Sequence, residues 1–173
     1  MFHGVGSGDR AAILNVAVAK AASILQIPVV LTLISPERNA EFIGDIASLF
    51  PNQRAIARQV PGFEAFEDEA VFEAVKQTGH QKLVVSGLWT SMCFAYSTLH
   101  GLREGFDVYV LNNAAGDATL DAHLNGLQRM FQASTIPITW MPLVSEWMHD
   151  WANPKAAQLV QEVYGKYEPL IVM

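Results

Sequence analysis

The chain has 173 residues, of which 51% are hydrophobic, and a formal net charge of −6. This length and apolar content are typical of one domain with a substantial core, so we predict a single domain over residues 1–173. The acidic balance and the scattered basic residues argue against a nucleic-acid partner. No apolar stretch approaches the roughly 20 residues that span a bilayer, which excludes a membrane protein. A single cysteine and the lack of a secretory signal pattern favour the cytoplasm.

Helical and extended patterns alternate along the chain. Apolar residues at spacings of three and four predict helices over 9–25, 40–50, 67–78, 91–102 and 119–133. Short β-branched apolar runs predict strands over 27–33, 55–58, 82–85, 108–111 and 136–141. This order, with short connections, predicts an α/β fold in three layers, with a mostly parallel sheet covered by helices on both faces.

Three predicted loops follow strands of this sheet. They cover residues 58–66, 87–93 and 112–116. Because ligands of parallel sheets bind at the carboxyl ends of the strands, we expect a functional site where these loops meet.

Cys93 is the residue in these loops that is best suited to chemistry. It lies in the first turn of the predicted helix 91–102, with Thr90 as the expected N-cap. Free backbone N–H groups and the positive end of the helix dipole favour a thiolate at such a position. The alternative is that Cys93 is a buried, inert residue, because free cysteine commonly behaves as a small hydrophobic side chain.

The segment GLWTSMC, over residues 87–93, resembles the Gly-x-x-Thr-x-x-Cys signature of the isochorismatase-like cysteine hydrolases. The stretch GLREGFDVYVLNNAAG is similar to the helix, turn and strand that follow in that family, and the chain from 153 onward is similar to its C-terminal helix. The tail over 145–151 looks most like the YcaC-type subgroup. The resemblance implies a Rossmann-like strand order and hydrolysis of a small substrate by a thiolate.

The resemblance also implies roles for particular residues. Cys93 matches the nucleophile, which attacks a carbonyl or related carbon. The backbone N–H groups of Trp89 and Cys93 would form the oxyanion hole, and a cis peptide bond would fall at Leu88–Trp89. The family also uses an Asp as base and a Lys as the supporting cation.

The chain departs from the family pattern at the Asp and at the Lys. The family's Asp lies on a strand before the first helix, and we expect that strand to be missing, which would expose two strand edges and leave a gap in the core. Arg58 stands near the place of the Lys, and it would keep the charge in a different geometry. The alternative for Arg58 is a surface residue on an irregular loop.

Four further residues are candidates for substrate binding. Phe63, Phe66 and Trp89 could form an aromatic wall, and Glu64 could add a charge. The alternatives are that the aromatic residues belong to the core and that Glu64 is solvated. The five histidines show no spacing that holds a metal tightly, so we predict no metal and no cofactor.

Three functions follow from these observations, and the one that ranks last is a redox-reactive thiol protein, because the chain has no second cysteine to resolve a sulfenic acid. The first is a cysteine hydrolase that acts on a small amide or related C–N bond, or on a vinyl ether, through a covalent intermediate. The second is a catalytically inactive oligomeric scaffold that has lost the general-base Asp. In either case the subgroup resemblance implies a homo-oligomer, and the partner of the hydrolase would be a small-molecule substrate.

Overall fold

The structure is a computed structural model that describes residues 7–34, 44–59 and 62–170. Its helices are α1 (Ser7–Leu25), α2 (Gly44–Leu49), α3 (Glu69–Gln77), α4 (Ala95–Arg103), α5 (Leu120–Gln132), α6 (Trp140–Met148), α7 (Ala156–Leu159) and α8 (Gly165–Tyr167). Its strands are β1 (Thr32–Leu33), β2 (Ile56–Ala57), β3 (Lys82–Leu88), β4 (Asp107–Gly116) and β5 (Ile136–Ile138). π-helical turns cover Thr90–Phe94 and Val160–Tyr164, and 3-10 turns cover Ala65–Glu67 and Glu168–Leu170.

The strands form two parallel sheets. One contains β1 and β2, with Thr32 opposite Ile56, and the other has the strand order β3-β4-β5. Within the described residues, β1 pairs only with β2 and β3 pairs only with β4, so each has one edge without a strand partner. The parallel pairing and the intervening helices confirm the predicted α/β fold.

Strand β4 shows how the helices cover both faces of the larger sheet. Successive side chains of a strand point to opposite faces. Leu111 accordingly packs with α1, α6 and α7, whereas its neighbour Val110 packs with Phe94 and with residues of α4 and α5. Both Val110 and Leu111 are fully buried. The sheet is therefore the middle of three layers.

The structure corrects several predicted strand ends, and β3 continues beyond the predicted end at Val85 to Leu88. The run 27–33 pairs as a strand only at Thr32–Leu33, since β2 opposite it is short and Pro28 has no N–H to donate. Residues 112–116 were expected to form a loop, but they continue β4, and Gly116 pairs with Leu88. The last strand ends at Ile138, because α6 begins at Trp140.

The longer β4 has a specific cause. Asn112 and Asn113 lie in the predicted loop 112–116, yet tertiary contacts keep this part of the chain in the strand. The Asn113 side chain accepts a hydrogen bond from the Trp140 backbone N–H at 3.2 Å, and Asn15 donates to the Ala114 carbonyl at 2.6 Å. Polar side chains therefore join the end of β4 to α1 and α6.

Hydropathy gives one further result. In the part of the chain that the structure describes, no helix has both the length and the apolar character that crossing a membrane requires.

Candidate active site

A cavity of about 830 Å³ lies between the two sheets. Its walls include β1, β3, α1 and α3, and most of them are apolar. It runs beside β3 from Lys82 at the amino end of that strand to Cys93 beyond the carboxyl end. β1 and β3, which each have one edge without a strand partner among the described residues, both line it. A volume of this size is also within the range of small-molecule sites.

Cys93 lies in the π-helical turn Thr90–Phe94 that joins β3 to α4, and its side chain is half-buried in the cavity wall. The predicted position in the first turn after the strand is therefore confirmed. Free N–H groups at the start of a helical segment favour an anion. The thiol is thus placed at the start of a helical segment, and the cavity gives access to it.

The peptide bond between Leu88 and Trp89 is cis, as the family resemblance implied. The Trp89 carbonyl accepts hydrogen bonds from the N–H groups of Met92, at 3.1 Å, and Phe94, at 3.2 Å. No acceptor for the N–H of Trp89 itself is found among the described residues. Trp89 itself lines the cavity.

Ser97 connects the cysteine turn to the segment that precedes α3. Its hydroxyl donates to the Cys93 carbonyl at 2.8 Å and accepts from the Ala65 N–H at 2.9 Å. Ser97 is buried, so these bonds are shielded from water. The contact places Ala65 and Phe66 in the wall of the same cavity as Cys93.

Arg58 lines this cavity too, and only 8% of its surface is exposed. Its Nη1 atom is buried and has no hydrogen-bond partner among the described residues. The next residue, Gln59, donates its backbone N–H to the Asp68 carboxylate at 2.6 Å, and Asp68 also caps α3 through the Ala70 N–H at 3.1 Å. These bonds hold the end of β2 against α3. Arg58 is therefore a buried cation rather than the surface residue of the alternative interpretation.

The four residues expected to bind substrate divide into two pairs. Trp89 and Phe66 line the cavity. Phe66 also packs against Phe72, with ring centroids 5.6 Å apart, so it belongs to the core as well. Phe63 is 59% exposed, and neither it nor Glu64 is among the cavity-lining residues.

Glu64 instead belongs to a cluster of charged side chains outside the cavity. Its carboxylate contacts Nδ1 of His100 and accepts a hydrogen bond from Nη2 of Arg103 at 3.2 Å. These contacts involve α4 and give Glu64 a role in fixing the segment before α3. The structure thus brings Cys93, Arg58, Trp89 and Phe66 together and places Glu64 and Phe63 elsewhere.

Thr90 makes contacts that the sequence interpretation missed. Trp89, not Thr90, stands at the N-cap position of the turn. The fully buried Thr90 hydroxyl donates to the Gly116 carbonyl at 3.0 Å and lies 2.8 Å from Nδ1 of His123. Sequence spacing offers no signal for this contact, because the partners lie on β4 and α5.

His123 has an environment that favours its neutral form. Burial lowers the pKa of His123 below its ordinary value of 6.5, and the Asp117 carboxylate opposes part of that shift. The imidazole is therefore expected to be uncharged near neutral pH.

Metal ligands are a separate question. Within the described residues, no group of three or more His, Cys, Asp or Glu side chains is arranged so that it could hold a metal ion.

The fold and the site define a class of protein: an α/β domain with a cysteine at the carboxyl end of a parallel strand, open to an apolar cavity. Residues 6–141 match the isochorismatase domain family. The chain belongs to this family of isochorismatase-like hydrolases.

Individual relatives agree with this assignment. The probable hydrolase YcaC of Escherichia coli is 31% identical over 134 residues, which are 76% of this chain and 64% of that protein. The chain thus spans less than two thirds of this curated relative. The crystal structure of the E. coli YcaC gene product, described as an octameric hydrolase of unknown specificity, has a TM-score of 0.84 and 29% identity, covering 94% of this chain and 81% of that chain.

YcaC from Pseudomonas aeruginosa, in a structure with hexane-2,5-diol and covalent acrylamide, is similar to the same degree. Its TM-score is 0.84 and its identity 28%, and the match covers 94% of this chain and 82% of that chain.

Proposed function

We propose that this protein is a cysteine hydrolase that cleaves a small amide, a related C–N bond or a vinyl ether, with Cys93 as the nucleophile. The observation that carries the proposal is the position of Cys93, in the first turn after β3 and in the wall of a cavity that also contains a buried cation. The covalent acrylamide of the P. aeruginosa relative supports a reactive nucleophile in proteins of this kind.

For an amide, the proposed reaction has two steps. The Cys93 thiolate attacks the carbonyl carbon, the N–H groups of Trp89 and Cys93 stabilise the oxyanion, and the amine leaves with the proton that the thiol gave up. Water then adds to the thioester, releases the acid and returns a proton to sulfur. Glu146 on α6 is the one carboxylate among the described cavity-lining residues, and we assign no residue to the general base.

The apolar walls favour a substrate with a compact apolar or planar body next to its scissile bond. Trp89 and Phe66 contribute aromatic surface to these walls. No cofactor is needed for this chemistry, since the nucleophile, the cation and the oxyanion hole all come from the chain.

The proposal is tested by trapping the intermediate. A panel of small amides, carbamoyl compounds and vinyl ethers is incubated with the protein, quenched in acid and examined by intact-protein mass spectrometry. Because the chain has a single cysteine, an acyl adduct that fragmentation localises to the Cys93 sulfur identifies the nucleophile directly. Turnover without an adduct at Cys93, even in quenches within one turnover, would contradict the mechanism.

The competing function, an inactive scaffold, is favoured by one observation. No aspartate is present among the described residues that line the cavity, although the family resemblance implies an Asp as base. Failure of every member of the panel to turn over would support the scaffold.

Arg58 allows a second test. We expect a buried cation to support catalysis but to lower the free energy of unfolding. Replacing Arg58 with methionine is expected to slow both hydrolysis and iodoacetamide alkylation of Cys93 by about tenfold or more, since the thiolate loses a supporting charge. The free energy of unfolding is expected to stay the same or rise, because an incompletely paired guanidinium no longer has to be desolvated. Quenched alkylation assays measure the reactivity of Cys93, and urea unfolding measures the free energy of unfolding.

Arg58→Lys is the matched control, since it keeps the charge and loses only the planar geometry. It is expected to alkylate faster than the methionine variant. Equal alkylation rates in the wild type and in Arg58→Met would show that Arg58 does not support the thiolate.

We further propose that the protein forms a homo-oligomer in the cytoplasm and acts as one domain over residues 1–173. The octameric E. coli relative supports the assembly. Trp151, which is 74% exposed in the isolated chain, is the kind of side chain that subunit contacts bury.

A further inference from the structure

Side chains outside the cavity make hydrogen bonds to the turn that carries Cys93. His123 on α5 contacts the Thr90 hydroxyl, with 2.8 Å between its Nδ1 and Thr90 Oγ1. Asp117, after β4, accepts a hydrogen bond from the Ser91 N–H at 2.7 Å. Neither His123 nor Asp117 is among the cavity-lining residues. They can therefore influence the reacting atoms only by positioning the turn.

The direction of the bond between His123 and Thr90 follows from the number of protons available. A threonine hydroxyl has one proton, and here it is donated to the Gly116 carbonyl at 3.0 Å. The hydroxyl must therefore accept from Nδ1 of His123, which places the imidazole proton on Nδ1. In the neutral imidazole Nε2 is then unprotonated. The lowered pKa of His123 agrees with a neutral ring in this arrangement.

α5 packs closely against the turn. A Cβ atom at Gly126 would lie 2.8 Å from Ser91 Cα and 2.9 Å from the Thr90 carbonyl carbon. Such distances leave no space for a side chain, so α5 and the turn are in backbone contact. Thr90 is itself fully buried. The Thr90 end of the hydrogen bond is therefore shielded from water, which strengthens the bond.

We propose that His123 is a positioning residue for catalysis: its Nδ1–H, acting through the Thr90 hydroxyl, aligns the Trp89–Cys93 backbone so that the oxyanion N–H groups point at the reacting carbonyl. This inference rests on the proposed hydrolase function. Misalignment of about 1 Å in such groups lowers rates by about 100-fold, so a hydrogen bond behind the turn has a large effect on kcat.

The test compares two substitutions that differ in one hydrogen-bond donor. His123→Leu fills similar space without a donor, whereas His123→Asn can place an amide N–H near the position of Nδ1. The leucine variant is expected to lower kcat on an amide by about 10- to 100-fold with KM changed by less than about threefold, because the loss is confined to the transition state. The asparagine variant is expected to keep at least about a third of wild-type kcat.

Alkylation by iodoacetamide separates positioning from nucleophile activation. That reaction displaces iodide at a saturated carbon and forms no oxyanion, so His123→Leu is expected to alkylate at the wild-type rate. In a double-mutant cycle, Thr90→Val combined with His123→Leu should cost no more than Thr90→Val alone, since both act through one hydroxyl. Wild-type kcat in the leucine variant, or equal loss in the leucine and asparagine variants, would overturn the proposal.

Hydrogen exchange distinguishes this proposal from the hydrolase function on which it rests. Backbone amides of the peptide covering Trp89–Phe94 are expected to exchange faster in His123→Leu and at the wild-type rate in His123→Asn. If the protein shows this exchange pattern but hydrolyses no substrate, the positioning of the turn by His123 is supported and the hydrolase function is contradicted. Unchanged exchange in His123→Leu would overturn the positioning role even in an active enzyme.

Discussion

Replacing Cys93 with serine is expected to lower kcat on an amide substrate by about 10³-fold or more. A hydroxyl in the same place stays protonated near neutral pH, and it lacks the nucleophilicity of a thiolate. The same substitution removes the single site of alkylation, so iodoacetamide should add one group to the wild type and none to the variant.

Ser91→Ala is the matched control for this loss. Ser91 is two residues away in the same turn, and the turn uses its backbone N–H rather than its hydroxyl. The alanine variant is expected to keep wild-type kcat. A serine variant at position 93 that keeps a tenth or more of the activity would assign the nucleophile to another group.

The second large effect is expected from Gly126→Ala, a substitution on α5. Alanine favours a helix over glycine by about 1 kcal/mol. The added Cβ would meet Ser91 Cα at 2.8 Å and Ser91 N at 2.9 Å, and backbone atoms cannot rotate away. Overpacking of this kind costs about 1–3 kcal/mol, so we expect a net loss in the free energy of unfolding and a displaced Cys93 turn. Urea unfolding and kcat on the same sample measure the two consequences.

Gly101→Ala on α4 is the control for helix propensity. Its new Cβ would lie 3.2 Å from Val108 Cγ2 and 3.3 Å from Phe66 Cε2, which are side-chain atoms that can shift. We expect this variant to unfold near the wild-type midpoint and to keep its activity. Equal free energies of unfolding in the two alanine variants would show that α5 is not in close steric contact with the turn.

The sequence predicted the elements whose stability is mostly local. α3 follows its expected span because its apolar side chains recur at helical spacing and Asp68 caps its start. The predicted end also agrees, since Gly79 has a φ of 70° just after the helix. Strand lengths were predicted less well, because a strand is stable only where a partner strand lies opposite it.

The candidate site was predicted in part. Cys93 could be identified because its position depends on a strand and a helix that are adjacent in the sequence. Arg58 was predicted to lie at a strand end, but its burial could not be, because it depends on packing from α3 and β3. Glu64 looked equally suitable beside Phe66 in the sequence, and only the contacts with His100 and Arg103 show that it lies outside the cavity.

The amino-acid sequence by itself determined the fold class, the family and the position of Cys93, because hydrophobic periodicity and one contiguous motif encode them. The tertiary structure decided which distant groups meet at that cysteine. Thr90 and His123 are 33 positions apart, and only the packing of α5 on the turn brings them to 2.8 Å. Contacts of this kind depend on how the helices and strands pack together, and they cannot be predicted from residue spacing.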